Sequence, residues 1–187
     1  MAEDARQVRT RAKMTDALMR LLSRGGLESI SVSMLCEEAG VHRTTFYGHA
    51  ASIEEFAVDV ATREIDALST LDATGTDPRE LYRGGMVSLL AEMGEKRAFY
   101  RVLFNSPWGG ALHVAVEERL EARVRTAIDV LADSLEIDVP EERDEAAAFM
   151  AGGLVAAIVR WVRSDDTDVE DVARRTQALM PAWWPVA

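Results

Sequence analysis

The sequence has few of the residues from which covalent and metal-bound sites are built. Of its 187 residues one is cysteine, three are histidine and five are proline, and 6% are aromatic. A single cysteine cannot form an internal disulfide, so nothing requires an oxidising compartment. The first residues, MAEDARQVRTRAK, lack the apolar segment of a signal peptide. The longest apolar run, residues 146–159, is shorter than the roughly 20 residues that cross a bilayer. We therefore expect a cytoplasmic protein with no membrane association.

Catalytic and metal-binding patterns are also missing. The three histidines and Cys36 are not spaced to place two ligands on one helix face. We find no nucleophile elbow, phosphate-binding loop or dinucleotide fingerprint. The sequence therefore predicts no metal, no cofactor and no enzymatic activity. Cys36 fits a small buried position, with redox sensing as the alternative.

The charge distribution is uneven. The net charge is −11, which by itself disfavours binding to a polyanion. Residues 1–50, however, carry seven Lys and Arg against six acids, and the rest of the chain carries all of the excess negative charge. Six of the seven cations lie between Arg6 and Arg24, where Asp16 is the only acid. One end of an acidic chain is thus locally basic.

Apolar residues recur at helical spacing almost throughout, and no stretch alternates as a half-buried strand does. We predict an all-α fold of about nine helices. Ser31 can cap the second helix, Gly40 can end it, and Ser52 with Glu55 forms a capping box before the fourth. In the first helix, we expect Ala12, Leu18, Leu21 and Leu22 to face inward. The predicted helices cover residues 8–23, 32–39, 42–47, 53–71, 78–94, 96–104, 111–135, 140–163 and 169–180, with a break at residues 105–110 (NSPWGG).

Residues 31–49, SVSMLCEEAGVHRTTFYGH, have the layout of a helix-turn-helix. Gly40 can adopt the positive φ of a tight turn, and an apolar set can form a small core. The second helix of such a unit enters the major groove, where a guanidinium can pair with guanine O6 and N7. Arg43 is therefore the candidate for base reading. On spacing alone, an ordinary corner between two helices remains open. The core set is Val32, Leu35, Val41 and Phe46, and the outward set is Arg43, Thr44, Tyr47 and His49.

These residues carry a resemblance to a known family. Residues 26–55 resemble the DNA-binding region of TetR-family transcriptional regulators. The resemblance implies a homodimer whose two N-terminal units enter successive major grooves, with Thr45, Tyr47 and His49 contacting phosphates. The matching residues are Gly26, Leu27, Ala39, Gly40, Val41, Thr45, Phe46, Tyr47, His49, Ser52, Glu54 and Glu55. The predicted DNA-binding residues are Ser33, His42, Arg43, Thr44, Thr45, Tyr47 and His49.

Three positions depart from the family pattern. His42 stands where Ser or Thr usually caps the recognition helix, and loss of such a cap costs about 1 kcal/mol. Ala50 stands where a Phe usually packs, and Phe46 or Phe56 can replace that burial. Ile53 stands where a Lys usually approaches a phosphate, so we expect a shallower salt dependence of DNA binding.

The aromatic and methionine residues of the later helices can line a cavity. Plain core packing is the alternative, since helical Met and Phe usually fill space. The resemblance implies an inducer site, and the few charges predict a small, largely apolar effector with Arg101 or His113 as a polar anchor. The predicted ligand-binding residues are Met86, Met93, Phe99, Tyr100, Phe104, Trp108, His113 and Trp161.

The segment FMAGGLVAAIVRWV is apolar on every face until Arg160, so it must be covered on several sides. Small residues four apart permit close helix approach, either to a neighbour in the same chain or to a second subunit. The resemblance favours pairing of two subunits through the last long helices. The predicted dimer-interface residues are Gly152, Gly153, Ala156, Ala157, Arg160 and Trp161.

Together these features predict a ligand-responsive transcriptional regulator. Residues 1–50, with the start of the fourth helix at 52–56, form the DNA-binding domain, and residues 57–187 form the effector-binding and dimerisation domain. We expect a repressor that binds a pseudo-palindromic operator on double-stranded DNA and is released by the effector. The alternative is a helical small-molecule-binding or scaffolding dimer with a degenerate DNA-binding unit.

Overall fold

The computed structural model describes residues 5–68, 78–135 and 137–184. These residues form nine α-helices and one turn of 3-10 helix, with no strand among them, which confirms the all-α prediction. The helices are α1 (Ala5–Leu22), α2 (Val32–Ala39), α3 (Arg43–Tyr47), α4 (Ile53–Leu68), α5 (Pro78–Glu95), α6 (Arg97–Asn105), α7 (Gly109–Leu135), α8 (Arg143–Arg163) and α9 (Val169–Gln177), and the 3-10 turn is Leu27–Ser29.

Most helix boundaries agree with the predictions to within three residues. The predicted end of the fourth helix, residues 69–71, lies outside the described residues. The predicted break at residues 105–110 was too long, because Gly109 and Gly110 already belong to α7. A Cβ on Gly109 would lie 2.5 Å from the carbonyl oxygen of Phe104. The glycine is therefore needed where the chain passes closely over the end of α6.

The chain forms two compact units. One consists of Met1–Arg63 with Ala98–Leu112, and the other of Glu64–Arg97 with His113–Ala187. The first unit contains α1 to α3, most of α4 and most of α6, and the second contains α5, most of α7, α8 and α9. The functional boundary predicted at residue 56 remains a prediction.

In the first unit, α1 packs on α2 through one apolar face. Met14, Ala17 and Leu18 are fully buried, and Leu21 is buried beside them. The prediction for Ala12 was wrong, since this residue is exposed. Successive helical residues are rotated by about 100°, which places Ala12 well away from the face of Leu18. Met14, four residues before Leu18, takes the inward position instead.

An aromatic pair fills the centre of the same unit. Phe46 of α3 and Phe56 of α4 are both fully buried, and their ring centroids are 5.9 Å apart in an edge-to-face arrangement. Ala50 is buried at 5% exposure. The small residue at position 50 is thus accommodated in a core that the two phenylalanines fill.

Ion pairs join α7 to the start of α8 in the second unit. Arg143 donates to Asp129 at 2.8 Å, and Arg125 pairs with both Asp129 and Asp144. The hydrogen bond from Arg143 lowers the pKa of the Asp129 carboxyl. These contacts fix where α8 begins after Pro140, three residues later than predicted.

Two glycine substitutions test the local backbone argument. Gly40 ends α2 with φ +64°, so Gly40→Ala is expected to lower the free energy of unfolding by about 1–2 kcal/mol. Gly85 lies within α5, and among the described residues no heavy atom lies within 4 Å of an added Cβ. Gly85→Ala is therefore expected to raise the same quantity by about 1 kcal/mol, through helix propensity. Urea unfolding followed by circular dichroism measures both. Equal effects of the two substitutions would contradict the argument.

Candidate DNA-binding site

Helix α2, which leads into the turn to α3, is capped at both ends by local hydrogen bonds. The hydroxyl of Ser31 accepts a bond from the Met34 N–H at 3.2 Å, so the predicted cap of α2 is confirmed. At the other end Gly40 is left-handed, and the Val41 N–H donates to the Cys36 carbonyl at 2.9 Å. This pattern ends α2 sharply and starts α3 after His42. The predicted positive φ at Gly40 is confirmed.

The turn places one face of α3 outward and the other inward. Phe46 is fully buried, whereas Arg43, Thr44 and Tyr47 are exposed, with Tyr47 at 52%. The outward orientation predicted for these three residues is confirmed. His49 was predicted to face outward as well, but it is half-buried, as is Thr45. Ser33 and His42 are exposed near the two ends of α2.

The entry to α4 is a reciprocal capping arrangement. The Glu55 N–H donates to the Ser52 hydroxyl at 3.1 Å, as the S-x-x-E pattern predicts. The Glu55 carboxylate in turn accepts from the Ala51 N–H at 3.1 Å. The start of α4 is thereby fixed directly behind α3. His42, by contrast, makes no side-chain cap bond to α3, which confirms that departure from the family pattern.

The structure changes the interpretation of Ile53. In the family pattern a Lys at this position approaches a phosphate, but the side chain of Ile53 is buried at 4% exposure. An isoleucine at the start of α4 gains more from the apolar core than from solvent. Position 53 is therefore part of the core.

The basic stretch of α1 is partly neutralised. Arg20 and Arg24 pair with Glu38 at 2.6 and 3.1 Å, and Arg11 pairs with Asp59. The hydrogen bond from Arg20 lowers the pKa of the Glu38 carboxyl. The sequence did not reveal these pairs because the paired residues are 14 to 48 positions apart in the chain. Only part of the cationic charge counted in the sequence is thus available to a ligand.

Cys36 lies in the core of this unit. It is 4% exposed, and burial raises the pKa of its thiol, although the charge of Arg43 acts in the opposite direction. A buried thiol with a raised pKa has little reactive thiolate. This environment agrees with the packing role.

The predicted effector-binding residues are divided between the two compact units. Trp108 is 45% exposed, and Met86 and His113 are half-buried. Phe99, Tyr100, Phe104 and Trp108 belong to the first unit, and Met86, Met93, His113 and Trp161 to the second. The buried members are Met93, Phe99, Tyr100, Phe104 and Trp161, each at 5% exposure or less.

Trp161 is held by contacts with Arg97 and Asp166 at the C-terminal end of α8. The Arg97 guanidinium lies 4.6 Å from its ring centroid and donates to the Ser164 carbonyl at 2.6 Å. The indole N–H of Trp161 donates to the Asp166 carbonyl at 3.0 Å. Arg97 and Trp161 therefore close the end of α8. Because Trp161 is buried inside its own unit, it does not lie on a surface that a second subunit can reach.

One face of α8 is exposed and largely apolar. Phe149 is 80% exposed, and Gly153, Ala156 and Arg160 follow it on the same side of the helix. Gly152 instead faces α7, where an added Cβ would lie 3.2 Å from a Glu117 carboxylate oxygen. The sequence pattern pairs Gly152 with Ala156 and Gly153 with Ala157. The exposed face instead combines Gly153 with Ala156, and Gly152 and Ala157 are half-buried. Phe149 was missed by the sequence reasoning, although its position four residues before Gly153 could have identified it.

Within the described part of the chain, α8 is the one helix long and apolar enough to cross a membrane by length and composition. Of its most apolar 18-residue window, 44% is buried inside the protein. The core helix of a non-membrane protein meets the same criterion, so this feature is weak evidence for a membrane span.

Comparison with known proteins gives the family. A family profile described as bacterial regulatory proteins, tetR family, matches residues 14–60. A second, described as transcriptional regulator C-terminal region, matches residues 82–182, more than half of the chain. No curated protein sequence is significantly similar to this chain.

Solved structures share the fold along nearly the whole chain. Thermus thermophilus FadR, a TetR-family transcriptional repressor in complex with lauroyl-CoA, is 17% identical, with 91% of this chain and 92% of that chain covered and a TM-score of 0.69. RolR in complex with resorcinol is 22% identical, with 95% and 89% covered and a TM-score of 0.65. The dihydroxyacetone kinase operon activator DhaS is 17% identical, with 91% and 93% covered and a TM-score of 0.64.

At sequence identities of 17–22%, the structural likeness shows a shared fold only. The matches to the two family profiles show the family. The N-terminal match includes the turn at Gly40 and the exposed side chains of α3. The C-terminal match includes α6 to α9. The chain is a member of the TetR family of bacterial transcriptional regulators.

Proposed function

We propose that this regulator binds a pseudo-palindromic operator as a homodimer and is released from it by a small, largely apolar effector. The observation that carries the proposal is the exposure of Arg43, Thr44 and Tyr47 on a short helix held by the Gly40 turn. We further propose that the protein acts as a repressor in the cytoplasm and has no catalytic activity.

The exposed residues of α3 suit two kinds of DNA contact. Arg43, at the first position of α3, can pair through its guanidinium with guanine O6 and N7 in the major groove. Thr44 can contact a base edge or a phosphate. Hydroxyl and imidazole groups beside these two residues can position the helix on the phosphate backbone without reading sequence. The proposed positioning residues are Ser33, His42, Thr45, Tyr47 and His49.

The exposed face of α8 suits a second copy of the chain. Phe149 presents a large apolar side chain, and Gly153 and Ala156 on the same face permit close approach of a partner helix. The proposed interface consists of Phe149, Gly153, Ala156 and Arg160, with Gly152 and Ala157 at its edge and without Trp161. Pairing matters because two recognition helices must be about 34–36 Å apart to meet half-sites on one face of DNA.

The effector is proposed to be mainly apolar. Phe99, Tyr100, Phe104 and Met93 are apolar or aromatic residues of the helices that follow the DNA-binding region. Two structural neighbours hold ligands with a substantial apolar part, resorcinol and lauroyl-CoA. A ligand that favours the DNA-incompetent state by about 1–3 kcal/mol releases DNA by roughly 5- to 150-fold.

One of the similar solved structures supports repression, and another is of an activator. Thermus thermophilus FadR is described as a repressor, whereas DhaS is described as an activator. We propose repression because a repressor needs to contact only the operator. Its release by the effector is then sufficient to change transcription. Fusion of the upstream region to a reporter in cells with and without this protein measures the direction, and higher expression with the protein would contradict repression.

Substitution of Arg43 tests base reading. A duplex is first selected from a random pool by the wild-type protein, and Kd is then measured by fluorescence anisotropy. Arg43→Ala is expected to weaken binding by about 1–3 kcal/mol and to relax the preference at one base pair. Arg174→Ala, at an exposed arginine of α9, is the matched control and should leave Kd unchanged.

The possible outcomes separate the two functions considered. Failure of the wild-type protein to select any sequence at low salt would contradict operator binding and favour the scaffolding or ligand-binding dimer. Selection of a sequence by wild type with full retention of preference in Arg43→Ala would leave operator binding in place and remove Arg43 from base reading.

Substitution of Phe149 tests the dimer interface. Phe149→Asp places a charge where a second α8 is proposed to pack, so the dimer dissociation constant is expected to rise at least about tenfold, or 1.4 kcal/mol. Because Phe149 is 80% exposed, the fold of one chain should be unaffected. Val114→Asp, at a 54% exposed residue of α7, is the control. Sedimentation equilibrium gives the dissociation constants, and an equal effect of both substitutions would contradict an interface centred on α8.

A further inference from the structure

The first compact unit retains a small number of cations that are not neutralised within the protein. It contains nine Lys and Arg residues. Four of them pair with Glu38 or Asp59, namely Arg11, Arg20, Arg24 and Arg63. Among the described residues, Arg9, Lys13 and Arg43 take part in no ion pair. The charges of these three side chains are therefore available to a ligand.

Arg9 and Lys13 occupy one exposed face of α1. They are four residues apart, and both are exposed. Arg20, seven residues after Lys13, continues this face and contacts Glu38 near the end of α2. At about 1.5 Å per residue, Lys13 and Arg9 lie roughly 10 and 16 Å along α1 from that contact. The cationic face thus extends away from the end of α2, where the turn to α3 begins.

The arrangement is unfavourable for an isolated helix. Like charges four residues apart, such as Arg9 and Lys13, repel each other on a helix surface. Asp16 is the only acid in residues 5–27. A surface of this kind, on a chain whose net charge is −11, is stabilised when a polyanion covers it.

The recognition helix α3 and the helices beside it carry few cations that could neutralise DNA phosphates. In residues 31–63 the only cations are Arg43 and Arg63. Arg43 is assigned to a base edge, and Arg63 pairs with Asp59 at 3.0 Å. Ile53, at the position where the family pattern has a lysine that approaches a phosphate, is in the core. Charge contacts to the DNA backbone must therefore come from another element.

We propose that Arg9 and Lys13 form a phosphate-binding surface on α1 that contacts the DNA backbone beside each half-site. The inference rests on the proposed binding of double-stranded DNA. In a homodimer the surface is present twice, so it supplies four phosphate contacts. These contacts add affinity and salt dependence but carry no sequence information.

Salt dependence is the measurement that tests this surface. The full-length protein and the double variant R9Q/K13Q are titrated onto a labelled 30-base-pair duplex of mixed sequence at about 50–200 mM KCl, a range over which phosphate contacts strongly change affinity. Loss of four phosphate contacts is expected to make the slope of log K against log salt shallower by about 3–4. Over this range the wild-type protein should lose about 100-fold more affinity than the variant.

Two further variants separate local contact from net charge. R174Q/R175Q removes the same charge from α9, where both arginines pair with acids, and should leave the slope unchanged. R9K/K13R keeps the charge on α1 and should keep the wild-type slope. The ratio of affinities for the selected duplex and the mixed duplex should not change in R9Q/K13Q, in contrast to Arg43→Ala.

The outcomes distinguish this inference from the proposed function. Wild-type selection of a sequence together with an unchanged slope in R9Q/K13Q would overturn the phosphate-binding surface and leave operator binding intact. Equal slope changes in R9Q/K13Q and R174Q/R175Q would also overturn it, by assigning the effect to net charge. A change confined to a single-stranded RNA probe of the same length would assign the surface to RNA instead. Absence of wild-type binding to any duplex would remove both proposals.

Discussion

The left-handed backbone at Gly40 is the constraint on which the candidate DNA-binding site depends. With φ +64° at this residue, α2 stops and the Val41 N–H turns back to the Cys36 carbonyl. The chain then enters α3 in the one orientation that places Phe46 against Phe56 and leaves Arg43 outside. A residue with a Cβ pays a steric penalty in this conformation. One glycine thus determines which side of a five-residue helix is buried and which is open to DNA.

The positions of the charged residues explain how a protein with a net charge of −11 is proposed to bind DNA, which is also negatively charged. Much of the positive charge of the first unit is used internally, since Arg20 and Arg24 hold Glu38 and Arg11 holds Asp59. These pairs join α1 to α2 and α4 and so brace the helices that carry the turn. Among the residues that the structure describes, Arg9 and Lys13 on α1 and Arg43 on α3 take part in no ion pair. Charge contacts to the DNA backbone and discrimination between bases are thereby proposed to lie on different helices.

The features that could be predicted from the sequence are those determined by residues close to one another in the chain. The Ser31 cap, the Gly40 turn and the Ser52–Glu55 capping box each involve bonds spanning five residues or fewer, so their signals are contained in a short window. What could not be predicted depends on distant partners. The Arg11–Asp59 pair spans 48 residues, and the contact of Arg97 with Trp161 spans 64. The burial of Ile53 and the exposure of Phe149 likewise depend on which helices pack beside them.

In the proposed complex, two copies of α3 read two major-groove segments of one duplex. Methylation-protection footprinting of guanine N7 on a duplex selected by the wild-type protein measures this directly. Two protected segments are expected, with centres about one helical turn, 10–10.5 base pairs, or a multiple of it apart. Protection of a single segment, or of none at concentrations that saturate the duplex, would contradict it.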